Sequence, residues 1–175
     1  HCVFRFTLEG LRTGIEYFEQ AIARDPGYAL AYTGIAHAYL EMVVQGTGTL
    51  SPDEAFRRAR DAVGKAIALD GGLGEAHGML AYELFTGEYD WTGAEREFKT
   101  SLELNPGSAD SYDLYGQMLS AVGRFDEAMI VLKRAQELTR KAPPALPDSE
   151  EIEEMEENER EQLEEMLEAI TLSGN

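Results

Sequence analysis

Apolar residues along most of the chain recur at three- and four-residue steps, and the alternation typical of strands is missing. Helix-length segments rich in Ala, Leu, Glu and Arg alternate with short breaks that contain Gly or Pro. Small residues also recur at long range: Ala66, Ser101 and Ala135 are 35 and 34 residues apart, and Ala21 lies 45 residues before Ala66. The pattern predicts an all-α fold of repeated helix hairpins, one of which contains an insertion.

The last repeated unit shows the pattern most completely. Gly116 lies inside its first helix, where Gly costs about 1 kcal/mol relative to Ala, so its presence indicates close approach of a neighbouring helix. The pattern residues of this unit are Tyr112, Tyr115, Gly116 and Leu119 in the first helix, then Gly123, Phe125, Ala128, Leu132 and Ala135. They resemble the tetratricopeptide repeat, a 34-residue helix–turn–helix unit. The segments that begin at Tyr17 and Tyr89 resemble, more narrowly, tetratricopeptide repeat regions of bacterial regulators.

The resemblance covers residues 10–140 and implies an α-solenoid of antiparallel hairpins wound into a right-handed superhelix. We expect the repeat array to occupy residues 1–142, with a partial first unit and further units near 28–72, 73–106 and 107–141. The third unit contains one extra residue around Glu88. In the second unit, Ser51 is expected to cap the second helix, with Pro52 at its first position.

The resemblance also implies a concave groove lined by the first helix of each unit. Carried over to this sequence, the inward positions are Leu30, Thr33, His37 and Leu40, then Glu75, Gly78, Tyr82 and Phe85, and finally Asp110, Asp113, Gln117 and Ser120. This lining is neutral to acidic, so we expect a basic or apolar peptide or protein segment as partner, and an anionic peptide is disfavoured. Tyr82 and Phe85 are the candidate anchors, and His37 is a candidate ligand contact.

Charge and cysteine content exclude several classes of function. The chain has 33 acidic and 15 basic residues, a net charge of -18, which opposes binding to nucleic acid or to an anionic membrane. Cys2 is the only cysteine, and no apolar run approaches the roughly 18 residues that would span a bilayer. We therefore expect a cytoplasmic protein. The chain begins at His1 and not at Met, so its native N-terminus can lie further upstream.

The sequence contains no motif that would support catalysis, a cofactor or a metal site. The histidines, His1, His37 and His77, lack the three- or four-residue spacing that places two imidazoles on one helical face. His77 occupies a packing position, where we expect a core or interfacial role. The glycines of 71–74 follow a helix and lack an adjacent Lys-Ser/Thr pair, which is typical of a turn and not of a phosphate-binding loop. We expect no enzyme activity, cofactor or metal.

The C-terminal segment concentrates acidic charge. Residues 148–175 hold twelve acidic side chains and one basic one, Arg160, and three prolines predict a linker over 143–147. Asp148 and Glu151 form a capping-box arrangement that predicts the start of a helix. An apolar stripe makes this helix amphipathic: Ile152, Met155, Leu163, Met166, Leu167 and Ile170. It could cap the array, occupy the groove of another copy in a homo-oligomer, or be an appended segment.

Taken together, these features favour a non-catalytic protein–protein interaction scaffold that presents a concave groove to a partner segment. Two alternatives stay open. One is a self-associating structural module whose C-terminal helix lies in a neighbouring copy's groove. The other is a sensory fragment of a larger bacterial regulator whose effector domain is outside this chain.

Overall fold

The computed structural model describes residues 7–46 and 50–141, and all of the described secondary structure is helical. The linker predicted over 143–147 and the acidic helix predicted over 148–175 lie outside the described residues. The helices are α1 (Leu8–Arg24), α2 (Ala29–Val44), α3 (Pro52–Leu69), α4 (Gly74–Glu83), α5 (Trp91–Leu104), α6 (Ala109–Ala121) and α7 (Phe125–Lys141), with a π-helical turn at Leu84–Glu88 after α4. The prediction of an all-α fold is confirmed.

The helices pair into hairpins that stack in chain order. Helices α2 and α3, α4 and α5, and α6 and α7 form three hairpins, and α1 packs on α2 as the second helix of a partial unit. The first helix of each of the next two hairpins also contacts the preceding hairpin: α4 contacts α2 and α3, and α6 contacts α4 and α5. The architecture is an α-solenoid, as predicted, and α2, α4 and α6 are consecutive neighbours within it.

Small side chains bring these helices close together. The second helices bury narrow stripes that are rich in Ala, and Ala59, Ala66, Ala94 and Ala128 are almost fully inaccessible to solvent. Larger side chains fill the space between successive units, where the rings of Phe98 and Tyr115 stack with centroids 5.4 Å apart. The core is therefore a series of junctions between hairpins, in which close backbone approach matters as much as side-chain volume.

Successive hairpins are joined by one repeated turn. Asp25, Asp70 and Asn105 each follow the last residue of a second helix, and each side-chain oxygen accepts a hydrogen bond from the backbone N–H two residues later, at 3.0, 2.9 and 3.0 Å. Such side-chain turns redirect the chain at low cost because they satisfy a free backbone donor. The repeated turn sets the spacing between each second helix and the following first helix.

The turn inside each hairpin differs between units. In the second unit, Ser51 Oγ accepts a hydrogen bond from the N–H of Glu54 at 3.3 Å, and Pro52 is the first residue of α3, so the predicted cap is confirmed. In the third unit, the extra residue predicted around Glu88 is accommodated by the π-helical turn. Tyr89 then adopts a φ of 57°, a left-handed conformation that Gly46 and Gly123 adopt in the other two hairpins.

We predict opposite effects from two Gly-to-Ala substitutions. A Cβ at Gly74 would lie 2.9 Å from the backbone oxygen of Ser101, whereas a Cβ at Gly64 would meet nothing within 4 Å. Gly74→Ala should lower the free energy of unfolding by about 1 to 3 kcal/mol because α4 must move away from α5. Gly64→Ala should raise it by up to about 1 kcal/mol through helix propensity. Urea unfolding monitored by circular dichroism measures both; equal shifts would contradict the packing described.

Candidate functional site

The candidate site is the surface that α2, α4 with its π-helical turn, and α6 leave accessible to solvent, called here the first-helix surface. The structure divides the twelve predicted groove residues into three groups. Leu30, Asp110, Asp113 and Gln117 are exposed; His37, Glu75, Phe85 and Ser120 are half-buried; Thr33, Leu40, Gly78 and Tyr82 are buried. Eight of the twelve are therefore accessible.

Tyr82 and Thr33 are corrections to the predicted groove. Tyr82 is only 4% exposed, and burial, with a smaller effect from the nearby Glu41 carboxylate, raises the pKa of its hydroxyl to about 12. Thr33 is 5% exposed, and its hydroxyl donates a hydrogen bond to the backbone oxygen of Leu30 at 2.7 Å. Both belong to the core because adjacent first helices approach too closely to leave these positions open. The prediction of Tyr82 as an exposed anchor is wrong.

At α2, the accessible polar group is a histidine–carboxylate pair. His37 Nε2 lies 3.6 Å from Glu41 Oε1, one helical turn away, and Gln45 Nε2 donates to the other Glu41 oxygen at 3.2 Å. His37 is the main cause of a lowered pKa of Glu41, with a smaller contribution from Gln45. Glu41 was not among the predicted groove residues, although its four-residue spacing from His37 is a signal for such a pair.

At α4, the two accessible candidates are an acid and an aromatic ring. Glu75 accepts a hydrogen bond from the side-chain amide of Asn105 at 2.8 Å, which ties the start of α4 to the turn after α5. Phe85 lies in the π-helical turn and packs partly against the core. His77 is not on this surface: its Nδ1 lies 2.9 Å from Glu97 Oε2 on α5, which confirms the interfacial role predicted for it.

At α6, two exposed carboxylates border a cavity. Asp113 accepts a hydrogen bond from Gln117 Nε2 at 2.7 Å. Residues of α6 and α7 line an open cavity of about 420 Å³: Ala109, Asp110, Asp113, Ala135, Gln136, Thr139 and Arg140. The sequence prediction missed the α7 side of this cavity because it considered only first helices. The regular small residue at Ala135 was the available signal.

Charge is segregated between the two kinds of helix. Helices α2, α4 and α6 and the π-helical turn contain no Lys or Arg, and they contain six acidic residues: Glu41, Glu75, Glu83, Glu88, Asp110 and Asp113. The described basic residues lie on the second helices, apart from Arg124 in the turn before α7. The described part of the first-helix surface therefore presents carboxylates without any Lys or Arg from its own helices.

Glu83 is the one of these acids that faces the interior. It is 1% exposed, and its Oε1 lies 2.5 Å from Arg60 Nη2 on α3. The same Arg60 nitrogen lies 2.6 Å from Glu88 Oε1. The other oxygen of Glu83 has no hydrogen-bond partner among the residues that the structure describes. Arg60 on α3 therefore links the second unit to α4 and the π-helical turn of the third unit.

A cluster of polar and charged side chains around Glu95 joins the third and fourth units. Glu95 accepts hydrogen bonds from Arg124 at 2.7 Å and Tyr115 at 3.1 Å and pairs with Lys99 at 2.8 Å. Arg124, then Lys99, and to a smaller extent Tyr115 lower the pKa of Glu95 to about 2. This cluster fixes α6 and the start of α7 against α5 and so sets the position of Asp110 and Asp113.

Two further observations concern other classes of site. Within residues 7–46 and 50–141, no three His, Cys, Asp or Glu side chains are grouped in a way that could hold a metal ion. Among the described helices, none has the length and apolar character needed to cross a membrane.

Comparison with known proteins identifies the repeat. Residues 109–141 match the family model of the tetratricopeptide repeat. No curated relative matches the chain at the level of sequence. TTC0263, a thermophilic TPR protein of Thermus thermophilus, superposes with a TM-score of 0.60 at 20% identity, over 73% of this chain and 64% of that one. The chain thus spans less than two thirds of that protein, and the likeness shows a shared fold.

Two other solved structures are similar at lower scores. MamA matches with a TM-score of 0.48 and 20% identity, over 81% of this chain and 80% of that chain. YrrB, described as a TPR protein with an unusual peptide-binding site, matches with a TM-score of 0.41 and 18% identity, over 76% and 80%.

We predict a pH-dependent loss of stability from Glu95. Because the folded pKa of Glu95, about 2, lies below the ordinary value of about 4.3, its ionisation stabilises the fold above that ordinary value and the effect is lost as pH falls toward 2. Glu95→Gln should therefore be clearly destabilising at pH 7 and nearly neutral close to pH 2.

Thermal unfolding from pH 2 to pH 7 measures this difference. Glu103→Gln, an exposed substitution on the same helix, is the matched control and should leave the pH profile unchanged. Parallel profiles for wild type and Glu95→Gln over the whole range would refute the role given to the Glu95 cluster.

Proposed function

We propose that this stack of tetratricopeptide repeats is a non-catalytic protein-interaction scaffold whose first-helix surface binds a basic or apolar segment of another protein. The observation that supports the proposal most directly is the absence of Lys and Arg from α2, α4, the π-helical turn and α6. A surface whose charged groups are carboxylates attracts cationic segments and repels anionic ones.

The accessible carboxylates are spread along the stack. Glu41 lies on α2, Glu75 on α4, and Asp110 and Asp113 on α6. Glu41, Glu75 and Asp113 each accept a hydrogen bond from an amide side chain of the same chain. Asp110 and Asp113 are the more exposed carboxylates, and they border the open cavity next to α7, which Arg140 also lines. We therefore place the strongest attraction for a Lys or Arg side chain at the α6 end of the surface.

Apolar contacts would come from a smaller set of residues. Leu30 is exposed at the start of α2, and Phe85 is half-buried in the π-helical turn. The four buried positions, Thr33, Leu40, Gly78 and Tyr82, are excluded, and the hydroxyl of Ser120 donates to the backbone oxygen of Gly116. The proposed contact residues are therefore the other seven: Leu30, His37, Glu75, Phe85, Asp110, Asp113 and Gln117. A preformed helical surface of this kind loses little conformational entropy on binding, so few anchors are needed for useful affinity.

Charge weighs against the self-associating alternative. Residues 148–175 hold twelve acidic residues and one basic residue, and the first-helix surface is itself acidic. Inserting that segment into the same surface of another copy would bring like charges together, which costs free energy.

We propose a cytoplasmic location. A role as part of a larger regulator is a second possibility, which the sequence of a longer gene product would decide.

We predict that reversing charge at α6 weakens binding to a basic peptide. A fluorescein-labelled (Lys-Leu-Gly)4 peptide should bind the full chain, and Asp110→Lys with Asp113→Lys should reduce the affinity about tenfold or more, or about 1.4 kcal/mol, because both carboxylates face the bound cations. Fluorescence anisotropy measures the Kd at low and at physiological salt.

The matched control is Asp61→Lys with Asp126→Lys. This pair changes net charge by the same amount but lies on the second helices α3 and α7. We expect it to change the Kd by less than about twofold. Equal losses in the two double variants would mean that the peptide responds to net charge alone, and the proposed surface would be rejected.

A further inference from the structure

The turn inside the third unit, between α4 and α5, differs from its two counterparts in its backbone and in the residue at its positive φ. It follows a π-helical turn, Leu84–Glu88, that accommodates one extra residue. It has Tyr89 at a φ of 57°, where the other two hairpins have Gly46 and Gly123. It leaves Tyr89 73% exposed and Trp91, the first residue of α5, 51% exposed. We call residues 89–91 the aromatic turn.

The backbone of the aromatic turn is held in a costly conformation. A residue with a Cβ at positive φ costs about 1 to 2 kcal/mol relative to the right-handed region, and Gly would avoid that cost. The N–H of Asp90 donates to the backbone oxygen of Leu84 at 3.0 Å, and Asp90 Oδ1 accepts from Gly93 N–H at 2.9 Å. These bonds fix the turn on both sides of Tyr89. Strain of this kind is concentrated at functional sites.

The rings of Tyr89 and Trp91 are not explained by a role in the hydrophobic core. In the preceding unit, Phe56 occupies the place that corresponds to Trp91, 35 residues earlier, and it packs partly against the core beside Gly87 of the next unit. Trp91 instead leaves half of its surface accessible to solvent, as Phe125 does at the same place in the last described unit, where it is 67% exposed. Tyr89 leaves most of its surface accessible, which is unfavourable for an aromatic side chain. Tyr and Trp are also the residues most enriched among those that dominate binding energy at protein interfaces.

Local charge indicates which partner the rings suit. Glu88 and Asp90 flank Tyr89, and Arg60, which pairs with Glu88 and with the buried Glu83, is the one basic side chain that contacts this group in the described structure. The turn is therefore surrounded by a net negative charge. Arg side chains stack on Trp and Tyr faces through cation–π attraction, and they pair with carboxylates at the same time.

We propose that the aromatic turn is a second interaction surface, which binds an arginine-bearing segment of a partner protein by stacking guanidinium groups on Trp91 and Tyr89. Glu88 and Asp90 supply the flanking negative charge. The surface lies at the turn within the third unit, between α4 and α5. It shares Glu88 with the edge of the first-helix surface but uses none of the seven contact residues proposed there, so it does not depend on the function proposed above.

The test uses Trp91 itself as the probe, because it is the only tryptophan of the chain. An unlabelled (Arg-Gly)6 peptide is titrated into the full protein while tryptophan emission is recorded. We expect a saturable change in emission, weakened about fivefold or more in Kd by Tyr89→Gly. Gly suits the local φ, so this variant should keep the fold, which circular dichroism and the melting temperature verify. Tyr89→Asn is the second variant, because Asn also tolerates a positive φ.

Three controls distinguish this site from general attraction to an acidic protein. Tyr17→Ala removes another exposed tyrosine and should leave the Kd unchanged. A (Glu-Gly)6 peptide should produce no emission change. Asp110→Lys with Asp113→Lys should leave the tryptophan signal intact, whatever it does to peptides on the first-helix surface.

The following results would contradict the proposal. An unchanged Kd in both Tyr89 variants, or no response of Trp91 to the arginine peptide, would overturn the proposal. Loss of the response in the Asp110 and Asp113 variant, without loss in the Tyr89 variants, would place the peptide on the first-helix surface and would also overturn it.

Discussion

The structure depends on how closely consecutive hairpins approach one another, and small side chains determine that distance. At the junction between the third and fourth units, Ser101 Oγ and Ser111 Oγ lie 2.8 Å apart in the buried interface between α5 and α6. A Cβ at Gly78 on α4 would lie 2.8 Å from the same Ser111 oxygen. Three helices therefore meet at one point that is occupied by Gly78, Ser101 and Ser111, where a residue with a long or branched side chain would separate the hairpins.

This packing places α2, α4 and α6 side by side, so that residues of all three helices contribute to one surface. Because the three first helices lack Lys and Arg, their accessible side chains form one surface of a single charge sign. The basic residues of the second helices pair largely within or between second helices and turns, as Arg57 and Arg58 do with Glu54. Three cations do reach first-helix elements: Arg60 pairs with Glu83 and Glu88, Arg58 donates to the hydroxyl of Tyr39, and Arg140 lines the cavity beside Asp110 and Asp113.

The repeat pattern was enough to predict the hairpins and several of their details. Regular spacing of small residues identifies the stacked helices, the Ser51 and Pro52 pair identifies a helix start, and one extra residue near Glu88 becomes a π-helical turn. These features depend on residues close together in the chain, so a single sequence contains the information.

The accessible residues of the site were harder to predict. Position within a repeat does not distinguish buried Tyr82 from exposed Gln117, since both hold the same place in their units. Their burial depends on the neighbouring unit: Tyr82 is covered in the middle of the stack, whereas α6 belongs to the last described hairpin. The share of α7 in the cavity and the positive φ of Tyr89 likewise depend on three-dimensional context that a repeat pattern does not contain.

The register between hairpins is tested most directly by a cross-link at that junction. In a Cys2→Ser background, Ser101→Cys with Ser111→Cys places two thiols where the native oxygens are 2.8 Å apart. Under mild oxidation, this pair should form an intramolecular disulfide in the folded protein, whereas Thr100→Cys with Ser111→Cys should not. A disulfide in the control pair, or none in the Ser101 and Ser111 pair, would contradict the stacking on which the proposed surfaces depend.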